Sequence, residues 1–166
     1  MIKKKLNYLI KSKKATVGII GLGYVGLPLS ILFSKKNFKV FGFDIDKNKI
    51  KSLIKGNSYI ERISTKEINQ FLKKGKCFDK FEKIAECDVI VICVPTPLKN
   101  KNIPDLSFVR KTLNSIKNKL RPGQLLVLES TSYPGTTREE IVKKIKKKLI
   151  PGRNFFIGFS SERINP

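Results

Sequence analysis

The stretch VGIIGLGYVGLPLSILFSKKNFKVFGFD, residues 17–44, decides how the rest of the chain is read. An apolar, β-branched run over residues 15–20 leads into Gly21, Gly23 and Gly26. A helical pattern continues to Lys35, then a second apolar run over 39–43 ends on Asp44. Strand, glycine turn, helix, strand, acid is the layout of a dinucleotide-binding βαβ unit.

Each residue type has a physical task in that layout. Gly21 permits the tight turn out of the strand, Gly23 lets backbone approach a pyrophosphate, and Gly26 lets the helix pack closely on the sheet. The free N–H groups of the helix's first turn, across Leu22, Tyr24 and Val25, point at phosphate, and the helix dipole favours its negative charge. Asp44 falls about 20 residues on, where a carboxylate accepts from the ribose hydroxyls of the adenosine half. A 2′-phosphate there meets like charge, so NAD is expected in preference to NADP. Lys47 and Lys49 partly offset that repulsion.

The 166 residues suffice for one domain with a real core. Hydrophobic content of 40% without a membrane-length apolar run predicts a soluble globular chain with no membrane partner. The N-terminal MIKKKLNYLIKSKK lacks the apolar core and cleavage site of a signal peptide. Cys77, Cys87 and Cys93 have no metal-ligand spacing and histidine is absent, so no metal is expected. An odd cysteine count without a signal sequence fits a reducing cytoplasm. Net charge is +22, which draws in anions. Lysines run along the whole chain without interleaved aromatics, so nucleic acid is not the expected partner. A non-catalytic basic module binding nucleic acid or a protein is the alternative reading.

Downstream, the pattern keeps alternating. Residues 1–14 can place Ile2, Leu6, Leu9 and Ile10 on one helical face, but are expected as a packed or frayed extension to a domain at 15–166. Asp46 caps a helix stopped by Gly56, and Ser64 with Glu67 makes a capping box for another ending near Gly75. Residues 76–78 read as a weak third strand and 89–94 as a central one, apolar on both faces. A helix is expected from Pro104 to Leu120, a strand over 124–128, a basic helix from Thr136 or Thr137 to Leu149, and a last strand over 154–159. The class is α/β: a Rossmann-type, doubly wound, mostly parallel six-stranded sheet with helices on both faces.

In such a sheet ligands bind outside the carboxyl ends of the strands. The residues just past each strand therefore form the candidate site: the glycines, Asp44, Pro95-Thr96-Pro97, Ser130-Thr131, and Glu162. A carboxylate such as Glu162 beside a hydroxyl such as Thr131 can position and deprotonate a water.

GLGYVGLPL at 21–29, CDVIVICVPTPL at 87–98, PDLSFV at 104–109, ESTSYPGTT at 129–137 and FSSERINP at 159–166 together resemble the UDP-glucose/GDP-mannose dehydrogenase family. The wording is most similar to its UDP-N-acetylglucosamine 6-dehydrogenase branch. The resemblance implies NAD-dependent, two-step oxidation of a sugar C6 alcohol to a uronic acid, with a UDP-sugar as substrate. UDP-glucose, GDP-mannose and UDP-N-acetylmannosamine stay open as alternatives. It further implies that Gly21–Gly26 bind the pyrophosphate, Asp44 the ribose, and Lys49 the cofactor's vicinity. Val94, Pro95, Thr96 and Ser130 would line the cofactor cleft. Thr131 would help hold the catalytic water, Glu162 assist thioester hydrolysis, and Arg163 approach the sugar nucleotide. Ser161 and Asn165 depart from the family's usual proline and acid. Family members continue into a dimerisation helix and a second domain carrying the nucleophilic cysteine. The chain is therefore expected to be the cofactor half of a homo-oligomeric enzyme, inactive alone.

Overall fold

The computed structural model describes residues 1–99, 103–130, 135–145 and 147–160. Its strands are β1 (Thr16–Ile20), β2 (Lys39–Phe43), β3 (Lys76–Phe78), β4 (Val89–Ile92), β5 (Leu98–Lys99), β6 (Ile103–Pro104), β7 (Leu125–Glu129) and β8 (Phe156–Ser160). The main sheet has six of them, ordered β3-β2-β1-β4-β7-β8, every neighbouring pair parallel. The order reverses beside β1, and that switch point creates a crevice between the connections leaving β1 and β4.

Alternation along the central strands builds two cores. Val17, Ile19, Val40, Val89 and Val91 face one side, where α1 (Ile2–Lys11), α2 (Gly26–Lys35), α3 (Lys47–Ile54) and α4 (Thr65–Leu72) contribute the covering residues. Ile20, Phe41, Phe43, Ile90, Ile92, Leu126 and Leu128 face the other, covered by α5 (Ser107–Ile116) and a 3₁₀ turn at Glu82–Glu86. β4 is buried along its whole length because both faces are roofed.

Caps form where side chains allow them. Asp46 accepts from the N–H groups of Asn48 and Lys49 at the start of α3, and Ser64 with Glu67 closes a reciprocal capping box on α4. Residues 1–14 are more ordered than a frayed extension. α1 spans most of them and puts Leu6 into the first core, with Leu9 and Ile10 packed against it.

Other expectations shift by short distances. β4 ends at Ile92 rather than residue 94, and β7 starts at Leu125 because Gln124 is used differently. The Gln124 side chain is buried and donates to the carbonyls of Ile84 and Cys87. α5 begins at Ser107, not Pro104. Asp105 accepts from the Ser107 N–H, and the two residues of β6 instead pair antiparallel with β5. The basic helix expected to reach Leu149 is the largest correction. Among the described residues of that stretch, regular winding, in the wide π form, covers Thr137–Val142. Beyond it Lys143 and Lys147, and Lys144 and Lys148, would stand at i,i+4 spacing, where like charges oppose helix formation.

Candidate functional site

The turn between β1 and α2 is set by backbone contacts. A Cβ on Gly26 would lie 1.8 Å from the carbonyl oxygen of Gly21, so only glycine lets the helix start this close to the strand end. A Cβ on Gly23 would meet nothing within 4 Å. Protein packing therefore does not require glycine at 23, and the open space beside it is room for an incoming group. Among the described residues, no hydrogen bond uses the N–H of Gly23, Tyr24 or Val25. These three donors at the positive end of α2 form an anion cradle. Pro28 sits in the same first turn, where a missing N–H breaks no helical bond.

Asp44 stands at the tip of β2, buried, with each oxygen already tied to backbone. Oδ2 accepts from the Leu22 N–H at 2.8 Å and Oδ1 from the Asp46 N–H at 2.9 Å. A carboxylate offers about four acceptor positions, so two remain beyond these backbone bonds. Lys49 Nζ lies 3.9 Å from Asp44 Oδ2.

These groups open on one cleft of about 670 Å³, within the size range of small-ligand pockets. Of the residues expected there, Gly21, Gly23, Tyr24, Val25, Asp44, Lys49, Val94, Pro95 and Thr96 line it. Leu22, Gly26 and Ser130 do not; they shape it from beneath. The Leu22 side chain is fully buried against Gly42 and its N–H is held by Asp44. Ser130 is buried at the end of β7 and donates from Oγ to the Val94 carbonyl, fixing the loop that forms one wall. Thr131, Glu162 and Arg163 lie outside the described residues. The strand ends that precede them, Glu129 and Ser160, are register partners on neighbouring strands.

The structure adds lining residues that the sequence reading missed: Ile45, Phe81, and Phe108, Lys111, Thr112 and Ser115 of α5. Phe81 is held at the rim by Phe43, which also stacks on Phe78. The α5 signal was present in the sequence. Phe108, Lys111 or Thr112, and Ser115 recur at three- and four-residue steps beside the core stripe of Val109, Leu113 and Ile116. The apolar stripe faces the core, and the strip beside it faces the cleft.

Cys93 lines the cleft, whereas Cys77 and Cys87 do not. Burial pushes the thiols of Cys77 and Cys87 up to about 12, so neither supplies a thiolate near neutral pH. Among the described residues no group of three His, Cys, Asp or Glu is placed to hold a metal, and no helix is long and apolar enough to cross a membrane.

A parallel sheet with a glycine turn, a helix N-terminus and a strand-end acid around one crevice defines a dinucleotide-binding domain. Comparison with known sequences agrees. Residues 15–166 match the NAD binding domain of the UDP-glucose/GDP-mannose dehydrogenase family, and the chain belongs to that family. It is 39% identical over 155 residues to protein CapL of Staphylococcus aureus, covering 90% of this chain and 35% of that protein. It is 37% identical over 156 residues to UDP-N-acetyl-D-glucosamine 6-dehydrogenase of Pseudomonas aeruginosa, covering 93% of this chain and 36% of the relative. The solved UDP-D-ManNAc dehydrogenase of Pyrococcus horikoshii superposes with a TM-score of 0.83 at 32% identity, over 91% of this chain and 37% of that one. The chain thus spans little more than a third of the length of these relatives.

Proposed function

We propose that this chain carries the cofactor site of a nucleotide-sugar 6-dehydrogenase. The whole protein would oxidise the C6 alcohol of a UDP-sugar, UDP-N-acetylglucosamine by preference, through an aldehyde to the uronate. The observation that carries the reading is the meeting of three unused amides, on Gly23, Tyr24 and Val25, with the Asp44 carboxylate at one sheet edge. The amides fit a pyrophosphate, and the carboxylate fits an unphosphorylated ribose. The preference for UDP-N-acetylglucosamine draws support from the name of the Pseudomonas relative. The Pyrococcus neighbour keeps UDP-N-acetylmannosamine as the second substrate reading.

When bound, NAD supplies the hydride-accepting chemistry. The chain's own residues bind and orient. Gly21, Gly23 and Gly26 shape the turn, Lys49 places a cation at the ribose rim, and Val94, Pro95 and Thr96 form the wall that Ser130 braces. Thr131 is assigned to holding the hydrolytic water, Glu162 to assisting hydrolysis of the covalent intermediate, and Arg163 to approaching the sugar nucleotide.

Calorimetric titration of the chain tests this. NAD is expected to bind with a micromolar to millimolar Kd, and NADP at least about tenfold more weakly, the equivalent of roughly 1.4 kcal/mol. With NAD and UDP-N-acetylglucosamine together, residues 1–166 should produce no NADH, because desolvation raises the Cys77 and Cys87 thiols far above neutral pH and neither supplies a thiolate. NADP binding as tight as NAD refutes the Asp44 role. Turnover by this chain alone refutes its assignment as the cofactor portion.

A further inference from the structure

Tyr59 belongs to the connection between α3 and α4 and is remote in sequence from every motif of the cleft. Its hydroxyl nevertheless donates to the carbonyl oxygen of Leu22, at 2.5 Å. The N–H of Leu22 donates to Asp44 Oδ2. Both backbone groups of Leu22 are therefore held from outside the turn, one by a phenol and one by the strand-end acid. Among the described residues no backbone N–H donates to that carbonyl. The Leu22 side chain completes the grip, fully buried over Gly42.

Tyr59 is itself fixed. Its ring packs against the first core, the neighbouring Ile60 is buried there, and Lys49 Nζ lies 5.8 Å from the ring centroid. Burial, with Asp44, Cys77 and Asp46 adding to it in that order, pushes the phenol well above its ordinary value. The hydroxyl thus remains a donor across the whole physiological range.

We propose that Tyr59 is a positioning residue for the cofactor. By clamping the Leu22 carbonyl it orients the peptide that leads into Gly23, so that the amides of Gly23, Tyr24 and Val25 point into the cleft before any ligand arrives. The clamp lowers the ordering cost of phosphate binding. This role rests on the cofactor reading of the cleft, and it assigns to the α3–α4 connection a part in phosphate recognition.

The test is a ligand series on Y59F, which keeps the ring and removes the donor. NAD and ADP, both of which present phosphate to the turn, should bind roughly three- to tenfold more weakly, the range that one net hydrogen bond spans. Adenosine, which has no phosphate, should bind as it does to the parent chain. In the ligand-free Y59F chain the amide resonances of Gly23, Tyr24 and Val25 should move, which a hydroxyl acting only on stability would not cause. Unchanged NAD and ADP affinity overturns the role, as does a loss of adenosine binding in proportion to theirs. Failure of the parent chain to bind NAD or ADP overturns the cofactor reading, and the role of Tyr59 falls with it.

Discussion

Replacing Asp44 by alanine lowers NAD affinity on the order of a hundredfold and narrows the gap between NAD and NADP. Hydrogen bonds to a charged acceptor contribute about 1.5–3 kcal/mol each, and Asp44 lines the cleft beside Lys49 with two acceptor positions left over from its backbone bonds. Loss of both ribose contacts therefore costs about 3 kcal/mol or more. The substitution also strips the Leu22 and Asp46 N–H groups of their acceptor, so part of the loss reflects a loosened turn. Inorganic pyrophosphate separates the two effects by calorimetry. Its affinity should fall far less than that of NAD, because it has no ribose to lose. Equal losses for the two ligands would remove the ribose role. NADP should suffer least, since Lys47 and Lys49 remain while the like charge is gone.

The second large effect comes from a pair of single methyl groups. Gly26→Ala places a Cβ 1.8 Å from the Gly21 carbonyl oxygen. The overlapping atoms belong to the Gly21 backbone, which cannot swing aside as a flexible side chain would, so α2 must move away from β1 and the core beneath it opens. A cost of about 3 kcal/mol or more is expected, a large part of the stability of an ordinary domain. Gly23→Ala adds the same methyl three residues earlier, into space that contains no protein atom within 4 Å. Its stability should stay within about 0.5 kcal/mol of the parent chain, while NAD affinity falls at least about tenfold because the methyl occupies the approach to the pyrophosphate. Urea unfolding and calorimetry on both variants check the contrast. A stable Gly26→Ala chain would contradict the packing account. Undiminished NAD binding by Gly23→Ala would place the phosphates elsewhere.

Much of the cleft was legible in residues 17–44, because each position there answers to a local rule. The glycine spacing fixes a turn, the apolar runs fix strands, and Asp44 marks where β2 ends; all three stand where the sequence put them. Capping chemistry was equally readable, since Asp46, Ser64 and Glu67 act on backbone within three residues of themselves. The features that escaped notice depend on contacts distant in sequence. Gln124 looks like one end of a strand until the carbonyls of Ile84 and Cys87 are brought beside it by the fold. Phe81 gains its place from ring contacts with Phe43, 38 positions earlier. The hydroxyl of Tyr59 finds Leu22 only once α3 has carried the chain back over the turn. The short π segment at Thr137–Val142 shows the limit from the other side. A strong helical pattern does not fix a helix end when the closing residues are a run of lysines.

The central claim is that the crevice between β1 and β4 holds the dinucleotide by its pyrophosphate and adenosine ribose. Backbone amide mapping during an NAD titration of the uniformly ¹⁵N-labelled chain addresses it most directly. The amides of Gly23, Tyr24 and Val25 should shift furthest, with those of Asp44 and Ile45 moving along the same binding isotherm. Residues at the other end of the strands, such as Lys13 and Lys74, should stay where they are. Shifts centred on that other end, or a saturating titration that leaves the Gly23–Val25 amides unmoved, would contradict the account.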